Sequence, residues 1–220
     1  MSVLDVISRL PEIPVVRDRA RAIAVLDAIV SPTRDFRYFW FNSRWSPTEE
    51  LASMSNGSGD DYSIVFSPAG ACALGFDHES SMSPYRVRPA APWPGLFDGL
   101  PEAFRRYVTD PAFIDETGTP VTTVCFWREP GASGWETGRA EDPADDGGAE
   151  ELFAVLTAGH PEAYQRFAED IYEIAADIEA IRHVYAMQPL TQSVVSALHP
   201  DATLADLHED LTRIGYPGTS

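Results

Sequence analysis

Residues 61–76, DYSIVFSPAGACALGF, decide the fold. Over 61–67 the apolar side chains Tyr62, Ile64 and Phe66 alternate with their neighbours, which is the period of a half-buried strand. Pro68-Ala69-Gly70 is a turn signal. Residues 71–76 then form a return strand, so the stretch reads as an antiparallel hairpin. Ala71, Ala73 and Gly75 would line one face of that return strand. A row of small side chains predicts that something bulky, a helix or an aromatic ring, approaches there.

Working outward, residues 36–135 hold 18 of the 24 aromatic residues. Residues 35–42 (DFRYFWFN) and 120–128 (PVTTVCFWR) read as strands, with 134–139 as a partner for the second. Ser46-Pro47-Thr48-Glu49 has the spacing of a capping box with proline at the first helical position, which predicts a short helix to about Met54. Residues 77–99 are broken by Pro84, Pro89, Pro92 and Pro94 and read as loop. Pro101 opens a helix to about Val108, with Phe104 and Tyr107 turned inward.

Helical periodicity marks both flanks. Residues 2–10 and Pro14 to Val30 form the first two helices, and Arg17, Arg19 and Arg21 scatter around the second as a solvated face. Residues 150–157, 161–186 (one long or broken helix), 190–198 and 204–214 are helical. Gly215-Tyr216-Pro217 is a helix stop. The expectation is an α+β fold in one domain, 1–220. It has N-terminal helices over 1–33, an aromatic-rich antiparallel sheet region over 34–140 (strands from about 35), and a helical region over 150–217.

The charge is strongly negative: 34 Asp and Glu against 16 cations, a net of −18, and every cation is an arginine. Without lysine there can be no Schiff base, no phosphate-loop lysine and no kinase strand lysine. Residues 111–220 carry 20 acids and 5 arginines. Such a field repels a phosphate backbone, so nucleic acid is not an expected partner, whereas a basic protein surface or a metal cation is attracted. No apolar run reaches the roughly 18 residues of a membrane span, and the N-terminus lacks a leader-like apolar stretch. Cys72 and Cys125 lie in strand-like runs and read as buried free thiols, which favours a cytoplasmic address.

The familiar catalytic motifs are absent. There is no G-x-S-x-G, H-E-x-x-H or G-x-G-x-x-G, and no cysteine pair at zinc spacing. Asp142, Asp145 and Asp146 with Gly147 depart from a calcium loop, whose twelfth position would here be Phe153. Two segments remain. Ser53 to Tyr62 (SMSNGSGDDY) carries Asp60 and Asp61 behind a glycine-rich turn. Gly75 to Tyr85 (GFDHESSMSPY) carries Asp77, His78 and Glu79. Histidine beside carboxylates suits general acid/base work or a divalent metal. The hairpin brings Asp60, Asp61 and Asp77 to one end, because residue 61 begins its first strand and residue 76 ends its second. In an extended chain Asp77 and Glu79 share a side and His78 opposes them, so the three converge only if the chain turns. The structural alternative is that these side chains bond loop backbone.

These two segments, with Phe126-Trp127-Arg128 and Ile214-Gly215-Tyr216-Pro217, resemble a widespread family of bacterial proteins of unknown function. That family shares S-M-x-x-G-S-G-D-x-Y, G-F-D-H-E-S-x-M-S-P-Y, F-W-R and I-G-Y-P. The resemblance spans roughly 36–217 and implies membership, with no reaction or cofactor attached. Two functional expectations follow. One is an acidic protein-binding module, immunity- or antitoxin-like, with a basic protein partner. The other is a hydrolase in which Asp77, His78 and Glu79 act catalytically. No cofactor is indicated by motif, and a divalent metal held by some of Asp60, Asp61, Asp77, His78 and Glu79 is the one these residue types allow.

Overall fold

The computed structural model describes residues 2–140 and 145–217. Two helices, α1 (Val3–Ser8) and α2 (Ile13–Val30), lead into a six-stranded antiparallel meander. Its strands are β1 (Phe39–Ser46), β2 (Glu49–Ser55), β3 (Asp61–Ser67), β4 (Gly70–Phe76), β5 (Val124–Arg128) and β6 (Glu136–Thr137), hydrogen-bonded in sequence order. Between β4 and β5 lies the proline-rich segment with α3 (Glu102–Arg105). After the sheet come α4 (Ala149–Leu152), α5 (Ala154–Ala158), α6 (Pro161–Tyr172), α7 (Ile178–Tyr185), α8 (Gln192–Leu198) and α9 (His208–Ile214). The class is α+β. No helix is long and apolar enough to cross a membrane among the described residues.

The alternation read in the hairpin sorts the two faces of the sheet. Tyr62, Ile64, Phe66, Ala71, Ala73 and Phe126 face a large core built with α2 and the C-terminal helices. Val65, Cys72, Leu74, Cys125 and Trp127 face a smaller core under the proline-rich segment, where Phe104 and Tyr107 are fully buried. With both faces covered, every residue of β4 and β5 is buried. Both cysteines are free and buried. The small-residue stripe has the expected occupant. A Cβ on Gly75 would meet Leu152 at 3.0 Å and the Phe153 ring at 3.3 Å, so the helical segment after residue 148 seats against glycine.

Three expectations are corrected. Ser46-Pro47-Thr48-Glu49 is not a helix start: Ser46 pairs with Glu49, and the four residues turn β1 into β2. The Ser46 Oγ to Glu49 Oε2 bond of 3.0 Å satisfies the same residue types within a hairpin. Glu49 is then free to take the Tyr107 hydroxyl at 2.5 Å and to pair with Arg106. The strand expected over 35–42 begins only at Phe39, because residues 34–36 form a 3-10 turn. The arginines of α2 are braces rather than a free solvated face. Arg19 donates to the Leu156 carbonyl at 2.5 Å, and Arg21 pairs with Glu50 while its guanidinium stands 5.0 Å from the Phe41 ring centre. The helical stretch over 161–186 is broken: α6 stops at Glu173, whose φ of 55° is left-handed, and α7 restarts on the Asp177 cap.

One buried acid ties the layers together. Asp27 of α2 is fully buried and accepts four hydrogen bonds. The Tyr38 and Phe39 backbone N–H groups donate at 2.8 and 3.0 Å. The Tyr164 and Tyr172 hydroxyls of α6 donate at 3.1 and 2.9 Å. The entry of β1 and the face of α6 are thereby fixed to one carboxylate. Burial pushes its pKa up to about 6 against the pull of those four donors.

Candidate functional site

The site forms where β2 crosses to β3 and where β4 ends. Pairing of Asp61 with Phe76 brings the two loops side by side. In the first loop Asn56 folds back on itself: its Oδ1 accepts the Ser58 and Asp60 N–H groups at 2.8 and 3.1 Å. Its amide donates to Asp60 Oδ2 at 2.6 Å. Gly57 and Gly59 carry φ values of 72° and 110°, so this tight loop requires glycine.

In the second loop the chain turns at Asp77. Asp77 Oδ1 accepts the Glu79 and Ser80 N–H groups at 2.8 and 3.2 Å, an Asx turn. That turn swings His78 toward the first loop. Asp60 Oδ1 receives the His78 N–H at 2.9 Å and lies 2.7 Å from His78 Nδ1. A carboxylate only accepts, so Nδ1 carries the proton and Nε2 of the neutral ring is the open acceptor. One oxygen or nitrogen from each of Asp60, Asp77 and His78 falls within 4.8 Å of the others.

The rest of the loop is braced. Asp77 N–H donates to Thr123 Oγ1 at 3.0 Å, and Thr123 donates to the Gly147 carbonyl at 2.6 Å. Arg86 donates to the Glu79 and Ser80 carbonyls at 2.7 and 3.2 Å. Asp145 Oδ2 accepts from the Ser80 and Ser81 hydroxyls at 2.8 and 2.9 Å. Asp145 therefore anchors this loop. Asp142, of the calcium-like spacing, lies outside the described residues.

The electrostatics follow these bonds. Burial works to raise Asp60, but the His78 ring, the His78 backbone and Asn56 outweigh it and hold the carboxyl below its ordinary range. The Asp60 bond in turn raises His78. Asp145 is likewise lowered by Ser80, Ser81 and Gly147 against its burial.

Of the five residues singled out in the sequence, three converge. Asp61 opens β3 with an exposed side chain and stays outside the cluster. Local desolvation and then the Asp60 charge push its carboxyl upward, and water screens that shift at an exposed position. Glu79 is 84% exposed, with Oε1 3.9 Å from His78 Nε2. The loops do both things foreseen for them: Asp60 and Asp77 bond backbone, and they also gather with His78.

Beside the cluster opens a cavity of about 380 Å³. Its apolar wall comes from Phe39, Met54, Leu152, Phe167 and Ile171, and its acidic rim from Asp60, Asp77, Glu79 and Glu151. No arginine is among its lining residues. Tyr38 and Phe39 pack edge-on against Phe167, with ring centres 5.4 and 5.0 Å apart, which stiffens the wall. Gly148, which also lines the cavity, has φ 81° and sits against Asp77; a Cβ there would fall 2.5 Å from Asp77 Cβ. Asp77 also borders a larger, more open groove of about 1100 Å³ with Asp145, Asp146 and Glu150, where Arg139 supplies a cation.

Sequence reasoning missed the wall and Glu151. Phe39, Leu152 and Phe167 meet only through the packing of α4 and α6 on the sheet. The small-residue stripe of β4 was the one local signal that a helix lay there. No protein-family model, curated protein or solved structure matches the chain.

Proposed function

We propose that the protein is an acidic recognition module that binds a basic protein partner at the acid-rimmed cavity between the sheet end and α4–α6. The observation that carries this reading is the cavity's charge. Its four carboxylates have no arginine among the lining residues, and several of the chain's arginines are paired with other acids. Arg21 pairs with Glu50, Arg34 and Arg37 with Asp210, Arg106 with Glu49, Arg128 with Glu12, and Arg182 with Glu162. An acidic rim without arginine over an apolar wall concentrates negative potential and raises the local concentration of a cationic partner. An immunity- or antitoxin-like protein that covers a basic surface is one form of this reading. A cytoplasmic setting fits the two free buried thiols. We also infer membership of the bacterial family whose GSGD and DHES motifs the chain resembles; those two motifs supply three of the four rim acids, Asp60, Asp77 and Glu79.

The test is titration of the isotopically labelled protein with a monomeric arginine-rich peptide and with its glutamate counterpart. The expected result is saturable, salt-sensitive binding of the basic peptide alone. Absence of saturable binding at low salt overturns the proposal.

A second reading rests on the convergence of Asp60, Asp77 and His78 within 4.8 Å. His78 Nε2, oriented by Asp60 through Nδ1, has the disposition of a general base or a metal ligand with an outer carboxylate. With a divalent cation this would support hydrolysis. Elemental analysis of the purified protein, followed by calorimetric titration with Zn²⁺ and Mn²⁺, checks it. Neither stoichiometric metal nor measurable affinity would remove the metal-dependent form.

A further inference from the structure

We propose that the cavity is an arginine side-chain pocket, which takes one guanidinium group and its apolar stem from the basic partner. The inference rests on the recognition reading above and names what that site selects. Two independent features of the cavity require the same ligand chemistry. The first is the acidic rim, where Glu151 and Glu79 are exposed and Glu151 has no ion pair among the described residues. The second is the aromatic wall of Tyr38, Phe39 and Phe167, braced edge to face. Carboxylates alone suit any cation, and aromatic rings alone suit any apolar group. Together they suit a cation that offers both a flat face to stack and a fork of N–H donors.

Size and depth agree. A cavity of about 380 Å³ is too large for a bare ion and fits a side chain with room for water. Buried Met54 and Leu152 give it an aliphatic floor for a three-carbon stem, and Ile171, Glu79 and Glu151 are exposed lining residues. A long cationic side chain buries its stem against such a floor and keeps its head at the polar rim. Arginine is favoured over lysine because the guanidinium is planar, bidentate and weakly hydrated, whereas an ammonium neither stacks nor forks.

The experiment uses the full chain, labelled for NMR, and N-acetyl-arginine N-methylamide as the probe. The expected result is saturable binding in the low millimolar range. Shifts should be concentrated on Asn56, Ser58, Gly148 and Glu151, and the affinity should be several-fold above that of the lysine derivative. The norleucine derivative, which has the stem without the charge, should bind at least about tenfold more weakly. Glu151→Gln should weaken the arginine probe about fivefold with an unchanged melting temperature, because its side chain makes no hydrogen bond or ion pair among the described residues. Ile171→Ala, also on an exposed position, should weaken it about twofold through the stem. Equal binding of the norleucine or lysine probe overturns the proposal, as does indifference to Glu151→Gln. If the arginine-rich peptide shifts the cavity residues while the single-arginine probe leaves them silent, the pocket fails and the recognition reading survives. If neither binds, both fail.

Discussion

Asp27 and Asp60 each gather donors from two loops or layers, yet the two acidic centres are spent differently. Asp27 has both oxygens turned inward, onto two backbone N–H groups and two tyrosine hydroxyls. Nothing of it is left for a ligand. Asp60 spends its oxygens on Asn56 and on the His78 backbone and ring, and in doing so presents His78 Nε2 outward beside Asp77 and Glu79. The first centre builds the wall that the second faces. Tyr38 and Phe39, held by Asp27, line the cavity, and Phe167 packs against both. Carboxylate count therefore does not separate structure from recognition. What separates them is whether any polar head remains unspent at an open surface.

The sharpest way to break this contrast is Asp27→Ala. It would leave two buried N–H groups and two hydroxyls without an acceptor, at about 1–3 kcal/mol for each buried group left unsatisfied. The expected loss in chemical denaturation is at least about 3 kcal/mol, with the arginine probe response lost as the wall loosens. A loss below about 1 kcal/mol would mean that Asp27 is not the tie described. Next in size is Gly148→Ala. The left-handed φ and the 2.5 Å approach to Asp77 Cβ both oppose a side chain there. The combined cost should be about 2 kcal/mol or more. The Asp77 turn should move with it, visible as shifts of the Glu79 and Ser80 amides.

Asp27→Asn sharpens the comparison through pH. The folded Asp27 holds its proton more tightly than an unfolded aspartate, with a pKa of about 6 against an ordinary value near 4. Its contribution is therefore most favourable below about pH 4 and declines as pH rises through 4 to 6. Beyond that it is a constant cost of roughly 3 kcal/mol relative to acid conditions, if the whole difference is realised. Asp27→Asn should flatten that segment of the stability profile, measured by denaturation at several pH values. An unchanged slope between pH 4 and 6 would show that the four donors keep Asp27 ionised throughout.

The hairpin over 61–76 was legible because alternation, turn chemistry and small residues agree within sixteen consecutive positions. The convergence of Asp60 and Asp77 was legible for the same reason, since antiparallel register alone puts residues 61 and 76 opposite each other. Ser46 to Glu49 was misread because a hydroxyl and a carboxylate three residues apart satisfy a hairpin turn as well as a helix start. Only the apolar pairing of β2 with β3 decides between the two. Asp27 could not be read at all. It sits between Leu26 and Ala28 on a buried helix, and its partners lie at 38, 39, 164 and 172. The cavity wall was hidden likewise, because Phe39 and Phe167 are joined by tertiary packing and by no local pattern.

The smallest expected effect tests the second centre at its root. The Asp60 bond raises His78, with lesser help from Asp60, Glu79 and Asp77 charges and against some desolvation. A histidine raised in this way contributes stability that is fully present below its unfolded value near 6.5 and is lost as pH rises through the folded value. Because the ring is well exposed, the effect on stability should be slight, and the ring itself is the better reporter. In Asp60→Asn the imidazole should titrate lower than in the native protein, by proton NMR of its Cε1–H, while Asp27 and the aromatic wall stay unchanged. Nε2 would then also lose its fixed tautomer, so probe or metal affinity at the rim should fall without a change in melting temperature of more than a few degrees. An unshifted His78 titration would show that Asp60 serves the loop backbone alone. The two acidic centres would then differ in depth but not in kind.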